Sequence, residues 1–596
     1  MVFQYQRKPI RERQLRSVPL IIRFGVVGLT LVFPVIGAFA QPKVAPAYDG
    51  KLRIELAGDL GSGVQPTQMV FGPDNRLYVM SNSGNVYSLR YNPATGVLSD
   101  KKTAAFVNSG IGIAFHTGKT GKTALYVTVQ DEGNFFGNNF NHDHLLKLTD
   151  DNRNGVWGES GETRVRIVAN IPTGDHNADQ ILVRGDSLYV SIGIRTINGR
   201  QGQLTSGSTD DFNGKGFWLG GNGVMFGDSA LGGTICMIED LNQVADVEDA
   251  ANPYGSSAIR NQAFYQDNAA PYSATLGAGK LRVHSAGARN PFGLAFDKDG
   301  ALYFTNNFNR VETNGDGTAG FGYLFDSLDN ADLTRDVYDQ VFKAKKGGDY
   351  GYSNVNWRSR SDAPILNPSS QGYSRVLSLT YDNLFNKGPF FLHDPANPDG
   401  MGPSASADGC SFFYASNLPA ELVGNLFVTR YSGLISDGKG KRLEYQDVVA
   451  VDVASGKVRR VAQSFASPLC ALSDNAQRLL VGEYGSGKIW AIRPAVSRVS
   501  AVASLTRSDT IRAAIRLSNS GDIALKSVAI TGAKLNVAGT TTALPLSIGT
   551  LAVGASVDRN LSFPLSAATP GQTSILTLTV RYDGGTFSLS QRIVAP

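Results

Sequence analysis

A pattern of short apolar runs separated by polar turns recurs six times between residues 66 and 492. Each copy has an apolar run, a turn rich in Gly, Asn or Asp, and a second apolar run that often begins with Leu-Tyr. Examples are PTQMVFGPDNRLYVMS at 66–81, HNADQILVRGDSLYVSIG at 176–193 and RNPFGLAFDKDGALYFTNN at 289–307. Runs of this length between turn residues predict antiparallel strands. The second runs share one leucine each: Leu77, Leu125, Leu188, Leu302, Leu426 and Leu479.

Repeated strand meanders of this size are typical of a β-propeller. The six leucines are 48, 63, 114, 124 and 53 residues apart, whereas a bare four-stranded blade needs about 40–45 residues. The excess residues must form loops, mostly after the second strand of the third and fourth repeats. The sequence therefore predicts one six-bladed β-propeller over residues 51–494.

The pattern changes after residue 494. Residues 500–596 contain no Cys, His or Trp, and runs such as TIRAAIRLSNSG and SILTLTVRY alternate polar and apolar positions. This alternation and this length predict one Ig-like β-sandwich. The predicted fold class is thus all-β: a propeller followed by a C-terminal sandwich. We expect the sandwich to be a passive spacer; carbohydrate or surface attachment is the functional alternative.

The first 40 residues have the composition of a secretory signal peptide. Arg and Lys are frequent up to Arg23, an apolar run follows, and Ala38-Phe39-Ala40 provides an A-x-A site. A retained membrane anchor is the alternative, but the run is short and contains Pro34. We expect a periplasmic or extracellular protein with no membrane span once the signal is removed.

Charge and cysteine content exclude several classes of protein. The net charge of +5 comes from residues 1–40; the remainder has 50 basic and 50 acidic residues, which gives no basis for nucleic-acid binding. There are three cysteines, Cys236, Cys410 and Cys470, and no C-x-x-C-H motif for a c-type haem. A Cys410–Cys470 disulfide and buried free thiols both remain open.

The topology of a blade indicates where a functional site would lie. The residues before a first strand and those after a second strand emerge on the same face, because antiparallel strands alternate in direction. His176 and Arg289 precede first strands, and both long insertions follow second strands. We therefore expect them to converge around the propeller axis, since loops on a rigid scaffold are common places for sites.

With these motifs in order, the chain resembles the soluble quinoprotein family of glucose and sorbosone dehydrogenases. The most specific pieces are GDHNADQILVRGDSLYVSIG, GARNPFGLAF and KGGDYGY at 346–352. The family has a six-bladed propeller that binds pyrroloquinoline quinone and calcium. The resemblance implies an exported dehydrogenase that oxidises an aldose or sorbosone-like sugar and passes electrons to an external acceptor.

The resemblance also implies roles for particular residues. His176 corresponds to the general base, with Asp175 before it, and Arg289 and Asn290 correspond to a pair that holds the quinone. Arg430 corresponds loosely to a further arginine at the cofactor, and calcium would bind backbone carbonyls around Phe308 and Asn309. This chemistry is consistent, because a histidine accepts a proton near neutral pH and a permanent cation stabilises the reduced quinone oxygen.

Four departures from the family pattern concern the cofactor contacts, and one is a missing glutamine before the GIAFH motif, where Val107 and Asn108 stand. Phe292 and Ala415 stand where a glutamine and a lysine are expected, and IGIRT replaces the usual IGD after the third blade. Arg195, in that last motif, could supply a lost positive charge. We therefore expect a substrate pocket different from that of the glucose enzymes.

Two other functions and two other metal sites remain as alternatives. The first function is a non-catalytic propeller that binds glycan or protein on the same face. The second is a calcium-dependent hydrolase, which needs several Asp, Asn or Glu at the axis; the inner positions are expected to offer His, Arg and small residues instead. The loop Asp150–Gly155 resembles the start of a calcium loop, although an Asx-rich turn is favoured. His142-Asp143-His144 is favoured as a polar strand entrance over a transition-metal site.

Overall fold

The computed structural model describes residues 41–135, 138–172, 176–193, 233–243, 281–286, 288, 290–307, 339–346, 348–349, 406–431, 434–436, 442–474 and 477–596. The secondary structure of these residues is almost entirely β, as predicted. Four short 3-10 helices lie in these ranges: Pro46–Tyr48, Leu241–Gln243, Ala420–Leu422 and Leu565–Ala567. No helix long and apolar enough to span a membrane occurs in the part of the chain that is described.

Two N-terminal strands, β1 (Lys43–Val44) and β2 (Leu52–Asp59), belong to sheets formed mainly by later residues. The first and second blades are continuous in sequence, with four antiparallel strands each. The first contains β3 (Pro66–Phe71), β4 (Arg76–Ser81), β5 (Asn85–Tyr91) and β6 (Leu98–Phe106). The second contains β7 (Ile113–Thr117), β8 (Thr123–Phe135), β9 (Asn138–Leu148) and β10 (Arg164–Pro172).

The third and fourth blades contain the long insertions. The third has β11 (Ala178–Arg184), β12 (Ser187–Ile192), β13 (Thr234–Ile238) and β14 (Arg282–Ala286). The described strands of the fourth are β15 (Pro291–Phe296), β16 (Leu302–Asn306) and β17 (Gln340–Lys343). A short strand, β18 (Gly348–Asp349), pairs parallel to β14, so these two residues of the KGGDYGY motif extend the outer edge of the third blade.

The last two blades incorporate the N-terminal strands. The fifth has β19 (Ala407–Phe412), β20 (Leu426–Arg430), β23 (Asp447–Val451) and β24 (Val458–Gln463), and a separate hairpin is formed by β21 (Leu434–Ser436) and β22 (Arg442–Glu444). The sixth has β25 (Pro468–Ser473), β26 (Leu479–Glu483) and β27 (Lys488–Pro494). β2 pairs with β27 and β1 pairs with β24. The start of the chain therefore closes the ring of blades.

The six first strands form a closed ring. Each contacts the next in the order β3, β7, β11, β15, β19, β25, and β25 contacts β3. The same backbone hydrogen bond recurs six times at one end of this ring, and its acceptor is always a residue before a first strand. Its donor is the residue after the second strand, except in the second blade, where Gln130 lies within the longer β8. The donors are Asn82, Gln130, Gly193, Asn307, Tyr431 and Tyr484, and the acceptors are Gln65, Ser109, Asn177, Asn290, Ser406 and Ser467. This is the arrangement of a six-bladed propeller.

A row of hydroxyl groups joins neighbouring blades just inside that end. Thr128 Oγ1 donates to the carbonyl of Asp179 at 3.1 Å, and Ser191 Oγ donates to the carbonyl of Phe292 at 2.9 Å. Thr305 Oγ1 donates to the carbonyl of Asp408 at 2.7 Å. These bonds satisfy buried carbonyls on the axial edge of the next blade, and they hold the first strands in register around the axis.

The C-terminal residues form two sheets around one hydrophobic core. The first sheet contains β28 (Val499–Arg507), β29 (Ile511–Asn519) and β33 (Ser556–Phe563). The second contains β30 (Leu525–Leu535), β31 (Ala538–Gly539), β32 (Leu546–Leu551), β34 (Thr573–Tyr582) and β35 (Gly585–Val594). Alternate residues of β29 and β34 are buried, which is the pattern of strands with one face on a core.

An arginine links this C-terminal module to the sixth blade. Arg493 Nη1 and Nη2 donate to the two carboxylate oxygens of Asp522 at 2.5 and 2.9 Å. Arg493 Nε donates to Glu55 Oε2 at 2.9 Å. The guanidinium lowers the pKa of the Asp522 carboxyl below its usual range. The module is thus attached through a partly buried, bidentate ion pair, which is stronger than an exposed one.

Candidate functional site

His176 and Asn290 approach each other at the end of the ring that carries the six repeated backbone bonds. Both contact Gly193, which follows the second strand of the third blade. A Cβ atom added to Gly193 would lie 2.3 Å from His176 Cβ and 2.5 Å from Asn290 Oδ1. The two residues come from different blades, the third and the fourth, and they meet beside Gly193. Their proximity depends on the absence of a side chain at Gly193.

Asn290 is held in place by its backbone. Its N–H donates to Asn306 Oδ1 at 3.1 Å, and its carbonyl accepts from the N–H of Asn307 at 3.0 Å. The side chain is buried, yet its Oδ1 has no hydrogen-bond partner among the described residues. A buried amide oxygen without a partner is costly in a protein interior. A polar ligand at this point would relieve that cost.

Gly193→Ala is expected to impair this site while leaving the fold intact. The new Cβ would push His176 and Asn290 apart, since contacts below 3 Å force one neighbour to move. We expect a loss of stability of about 1–3 kcal/mol, the usual cost of overpacking, and the loss of any ligand binding that needs both residues. Ligand affinity and thermal unfolding measure the two effects. Gly539→Ala is the matched control, because nothing lies within 4 Å of its added Cβ.

Arg430 lies at the end of β20, and its guanidinium is already bound inside the fifth blade. Its Nε and Nη2 donate to the two carboxylate oxygens of Asp447 at 2.7 and 2.5 Å. The guanidinium also lies 4.5 Å from the ring centre of Tyr445, and Arg430 is fully buried. These contacts support a structural role. A role for Arg430 in binding a cofactor stays a prediction.

The other predicted site residues, Asp175, Arg195, Arg289, Phe308 and Asn309, lie outside the described residues.

Phe292 is described, and it lies on the axis. It forms one apolar cluster with Ile111 and Leu469, which occupy the same position in the second and sixth blades. Three alternate blades therefore contribute apolar side chains that meet at the axis.

Two carboxyl groups occupy the same position in other blades and were not predicted. Asp179 and Asp408 stand at the position of Phe292 in the third and fifth blades, and both are buried. The expectation that inner positions would offer only His, Arg and small residues was therefore wrong. Both residues follow an alanine at the start of a first strand, Ala178-Asp179 and Ala407-Asp408. That shared dipeptide is the signal from which they could have been found.

Burial raises the pKa of both carboxyl groups well above the usual range, and nearby carboxylates raise it further. For Asp179 those neighbours are Asp143 and Asp408. Asp408 accepts hydrogen bonds from Asn307 Nδ2 at 3.0 Å and from Ser406 Oγ. Asp179 Oδ2 has no hydrogen-bond partner in the described chain. Asp179 is therefore the less well stabilised of the two.

Asp179→Asn should stabilise the protein at neutral pH by an amount on the order of 1 kcal/mol, the scale of one hydrogen bond. Because the pKa of Asp179 is higher in the folded state, this carboxyl stabilises the fold relative to its charged form below the unfolded pKa of about 3.9, and that stabilisation is lost as the pH rises. Asparagine does not ionise, so the free energy of unfolding of Asp179→Asn should exceed that of the parent at neutral pH, and the difference should shrink as the pH falls toward 4. Denaturant unfolding at several pH values tests this. An advantage that does not vary with pH would contradict the assignment.

The structure also describes most of the two segments that the sequence offered as alternative metal sites. In the loop 150–155, the side-chain amides of Asn152 and Asn154 both donate to Glu159 Oε1 at 2.6 Å. The backbone N–H of Asn154 donates to Asn152 Oδ1 at 2.9 Å, as in an Asx turn. Asp143 is buried, and its Oδ2 accepts from the N–H of Ala178 at 2.5 Å. No group of three or more His, Cys, Asp or Glu able to hold a metal occurs in the described ranges.

All three cysteines are free and buried, which decides between the two alternatives left open by the sequence. Burial raises the pKa of the Cys236 and Cys470 thiols to about 12. Cys410 and Cys470 lie on adjacent first strands. Thiols of this kind behave as small apolar side chains.

Comparison with known proteins gives distant structural similarity. No family model matches the chain, and no curated protein matches it. The holo form of the pyranose dehydrogenase PQQ domain from Coprinopsis cinerea is 14% identical with a TM-score of 0.43, covering 76% of this chain and 97% of that one. PQQ-bound aldose sugar dehydrogenase from Streptomyces coelicolor is 14% identical with a TM-score of 0.39, covering 74% and 98%. A calcium structure of a Trichoderma reesei enzyme of Carbohydrate-Active Enzymes Family AA12 is 14% identical with a TM-score of 0.43, covering 76% and 96%.

Proposed function

We propose that the chain is an exported quinoprotein dehydrogenase that oxidises a sugar with pyrroloquinoline quinone, using His176 as the general base. The observation that carries this proposal is the meeting of His176 and Asn290 over Gly193, at the end of the propeller axis. The two residues come from different blades, so their proximity is a property of the closed ring. The motifs that resemble the quinoprotein family contain both of them.

The residues present are compatible with the quinone. The buried Asn290 Oδ1 lacks a partner among the described residues, and the missing Cβ of Gly193 lets His176 and Asn290 lie close to each other. Asn290, with Arg289 beside it in sequence, would hold the cofactor, and calcium would lie near Phe308 and Asn309. When bound, the quinone supplies a two-electron acceptor for the hydride of the sugar. The proposal includes an external acceptor that would take the electrons.

The chain itself would supply a base and a fixed geometry. A histidine that faces a sugar hydroxyl can accept its proton as the carbon–hydrogen bond breaks. Asp175 would orient the imidazole or stabilise its protonated form. The bond between the Gly193 N–H and the Asn177 carbonyl, 3.0 Å long, fixes the backbone next to His176. Such fixed backbone support is what keeps a general base aligned with its substrate.

Two further proposals concern the location and the C-terminal module. The N-terminal pattern supports export to the periplasm or the medium, with residues 1–40 as the signal. Residues 500–596 form an Ig-like module that acts as a spacer, and the Arg493–Asp522 pair would fix its orientation.

Reconstitution tests the proposed function. Purified protein is mixed with pyrroloquinoline quinone and calcium, and the cofactor absorbance is followed together with dye reduction in a panel of aldoses. We expect a change in the quinone spectrum and sugar-dependent dye reduction. A protein that binds glycans without reducing dye with any sugar would instead be the non-catalytic binding propeller.

A further inference from the structure

A cavity of about 540 Å³ opens at the end of the propeller axis opposite His176 and Asn290. Its walls come from the later residues of all six first strands, for example Val70, Phe115, Leu182, Phe296 and Ala471. His176 and Asn290 precede their first strands and are not part of these walls. The molecule thus has two axial openings, and only one of them contains the proposed active site.

The boundary between the two openings is built from polar and apolar layers. The apolar layer consists of Ile111, Phe292 and Leu469. Beneath it, Gln68 reaches across the axis: its Nε2 donates to the carbonyl of Ile181 at 2.7 Å, and its Oε1 accepts from the N–H of Ile113 at 2.8 Å. Gln180 Nε2 donates to the carbonyl of Thr67 at 3.2 Å. The cavity is therefore closed at its inner end by side chains with satisfied hydrogen bonds.

The walls of the cavity are mainly uncharged. Asp297 and Lys298 are the charged residues among its lining residues. Lys298 Nζ binds the carboxylate of Asp299, 2.9 Å away. A charged ligand would lose its hydration here without a dedicated counter-ion. The walls therefore favour an uncharged molecule.

Aromatic rings remain partly exposed around the cavity. Phe71, Phe115 and Phe296 are half-buried and Tyr414 is exposed, although all four line it. The guanidinium of Arg184, which does not line the cavity, lies 5.1 Å from the ring centre of Phe296. Partly exposed rings of this kind offer apolar surface and edge-to-face contacts to another ring. A flat aromatic molecule fits this chemistry.

Polar groups of the first strands also face the axis. Each first strand pairs with its second strand on one side only, so the other backbone edge points inward. The Gln68 side chain forms hydrogen bonds with backbone groups on this edge of the second and third blades. Ser411 Oγ of the fifth blade accepts from the N–H of Ser473 of the sixth at 3.0 Å. A backbone N–H or C=O on this inner edge can form a hydrogen bond with a ligand. A hydroxyl or carbonyl group on the ligand would supply such a bond.

We propose that this cavity is a binding site for an uncharged aromatic molecule that carries a hydroxyl or carbonyl group. Its volume lies in the range of small-molecule sites, about 300–1,000 Å³. The site is separate from the proposed active site and does not depend on the dehydrogenase activity.

Calorimetric titration of the full chain with 1-naphthol tests the proposal, with 1-naphthalenesulfonate as the charged counterpart of the same ring. We expect one saturable site per chain for 1-naphthol and at least about tenfold weaker binding of the sulfonate, a difference of about 1.4 kcal/mol. Absence of saturable 1-naphthol binding, or equal affinity for the two compounds, would overturn the proposal.

Ala471→Trp should fill the cavity and weaken 1-naphthol binding by at least about tenfold. Ala454→Trp is the matched control, because Ala454 is exposed in a turn of the fifth blade and lies outside the cavity. It should bind 1-naphthol as the parent does. Unchanged affinity in a folded Ala471→Trp variant would contradict the site.

A second measurement uses the parent chain and therefore needs no variant. Crystals of the parent chain soaked in 4-bromo-1-naphthol should show an anomalous bromine signal inside the cavity. A bromine signal found only elsewhere on the molecule would overturn the proposal. Dehydrogenase activity plays no part in either experiment, so failure here is distinct from failure of the proposed function.

Discussion

Asp447→Asn is expected to destabilise the propeller by about 3–5 kcal/mol, the usual cost of removing one partner from a buried ion pair. The substitution keeps the shape of the side chain but removes its charge. Arg430 would then keep a buried cation, because its side chain is only 1% exposed. Loss of one member of a buried ion pair is among the largest single causes of destabilisation.

Tryptophan fluorescence during denaturant unfolding measures this effect in the propeller alone. All four tryptophans precede residue 495, so the C-terminal module does not contribute to the signal. The unfolding midpoint of Asp447→Asn should be clearly lower than that of the parent. A midpoint within experimental error of the parent's would show that Arg430 reaches water or another acceptor.

A double variant separates the loss of charge from the loss of packing. Arg430→Met combined with Asp447→Asn removes the buried cation together with its partner. This pair should recover much of the lost stability, because replacement of both members of a buried ion pair costs far less than removal of one. Arg460, whose Nε lies 2.7 Å from Asp447 Oδ2, is partly exposed and can be solvated.

The strands could be predicted from sequence because their signals are local. The six repeated leucines all lie in second strands and are buried at 4% exposure or less. Alternation of apolar residues and turn residues determines such strands over fewer than ten positions. The closed ring of first strands follows from the repeat. The same argument predicts that His176 and Arg289 emerge on one face.

Contacts that form only when the ring of blades closes could not be predicted from the sequence. β1 joins the fifth blade through Lys43 and Gln463, which are 420 positions apart. Arg430 finds Asp447 only because two strands of the fifth blade are paired. Asp179 and Asp408 come together because their blades converge on the axis. Pairing at this sequence distance has no local pattern, so it appears only once the blades are assembled.

The proposed general base makes the sharpest distinction between the catalytic and the binding hypotheses. His176→Gln is expected to lower the maximal rate of sugar oxidation by about 10²–10⁴-fold, the typical contribution of a general base. The glutamine has a similar size and polarity but accepts no proton at this position. Loss should appear in kcat more than in KM, because proton transfer develops in the transition state.

Quinone binding and the fold provide the controls for His176→Gln. The variant should take up the cofactor with the parent's spectrum and should unfold at about the parent's midpoint, since His176 is only partly buried at the rim of the axis. Gly193→Ala should behave differently, because it displaces Asn290 as well and should weaken cofactor uptake. If His176→Gln turns over at the parent's rate with the cofactor bound, His176 is not the base. If instead it only changes the affinity for a glycan in a parent that reduces no dye, the propeller is a binding module, and the meeting of His176 and Asn290 over Gly193 serves recognition.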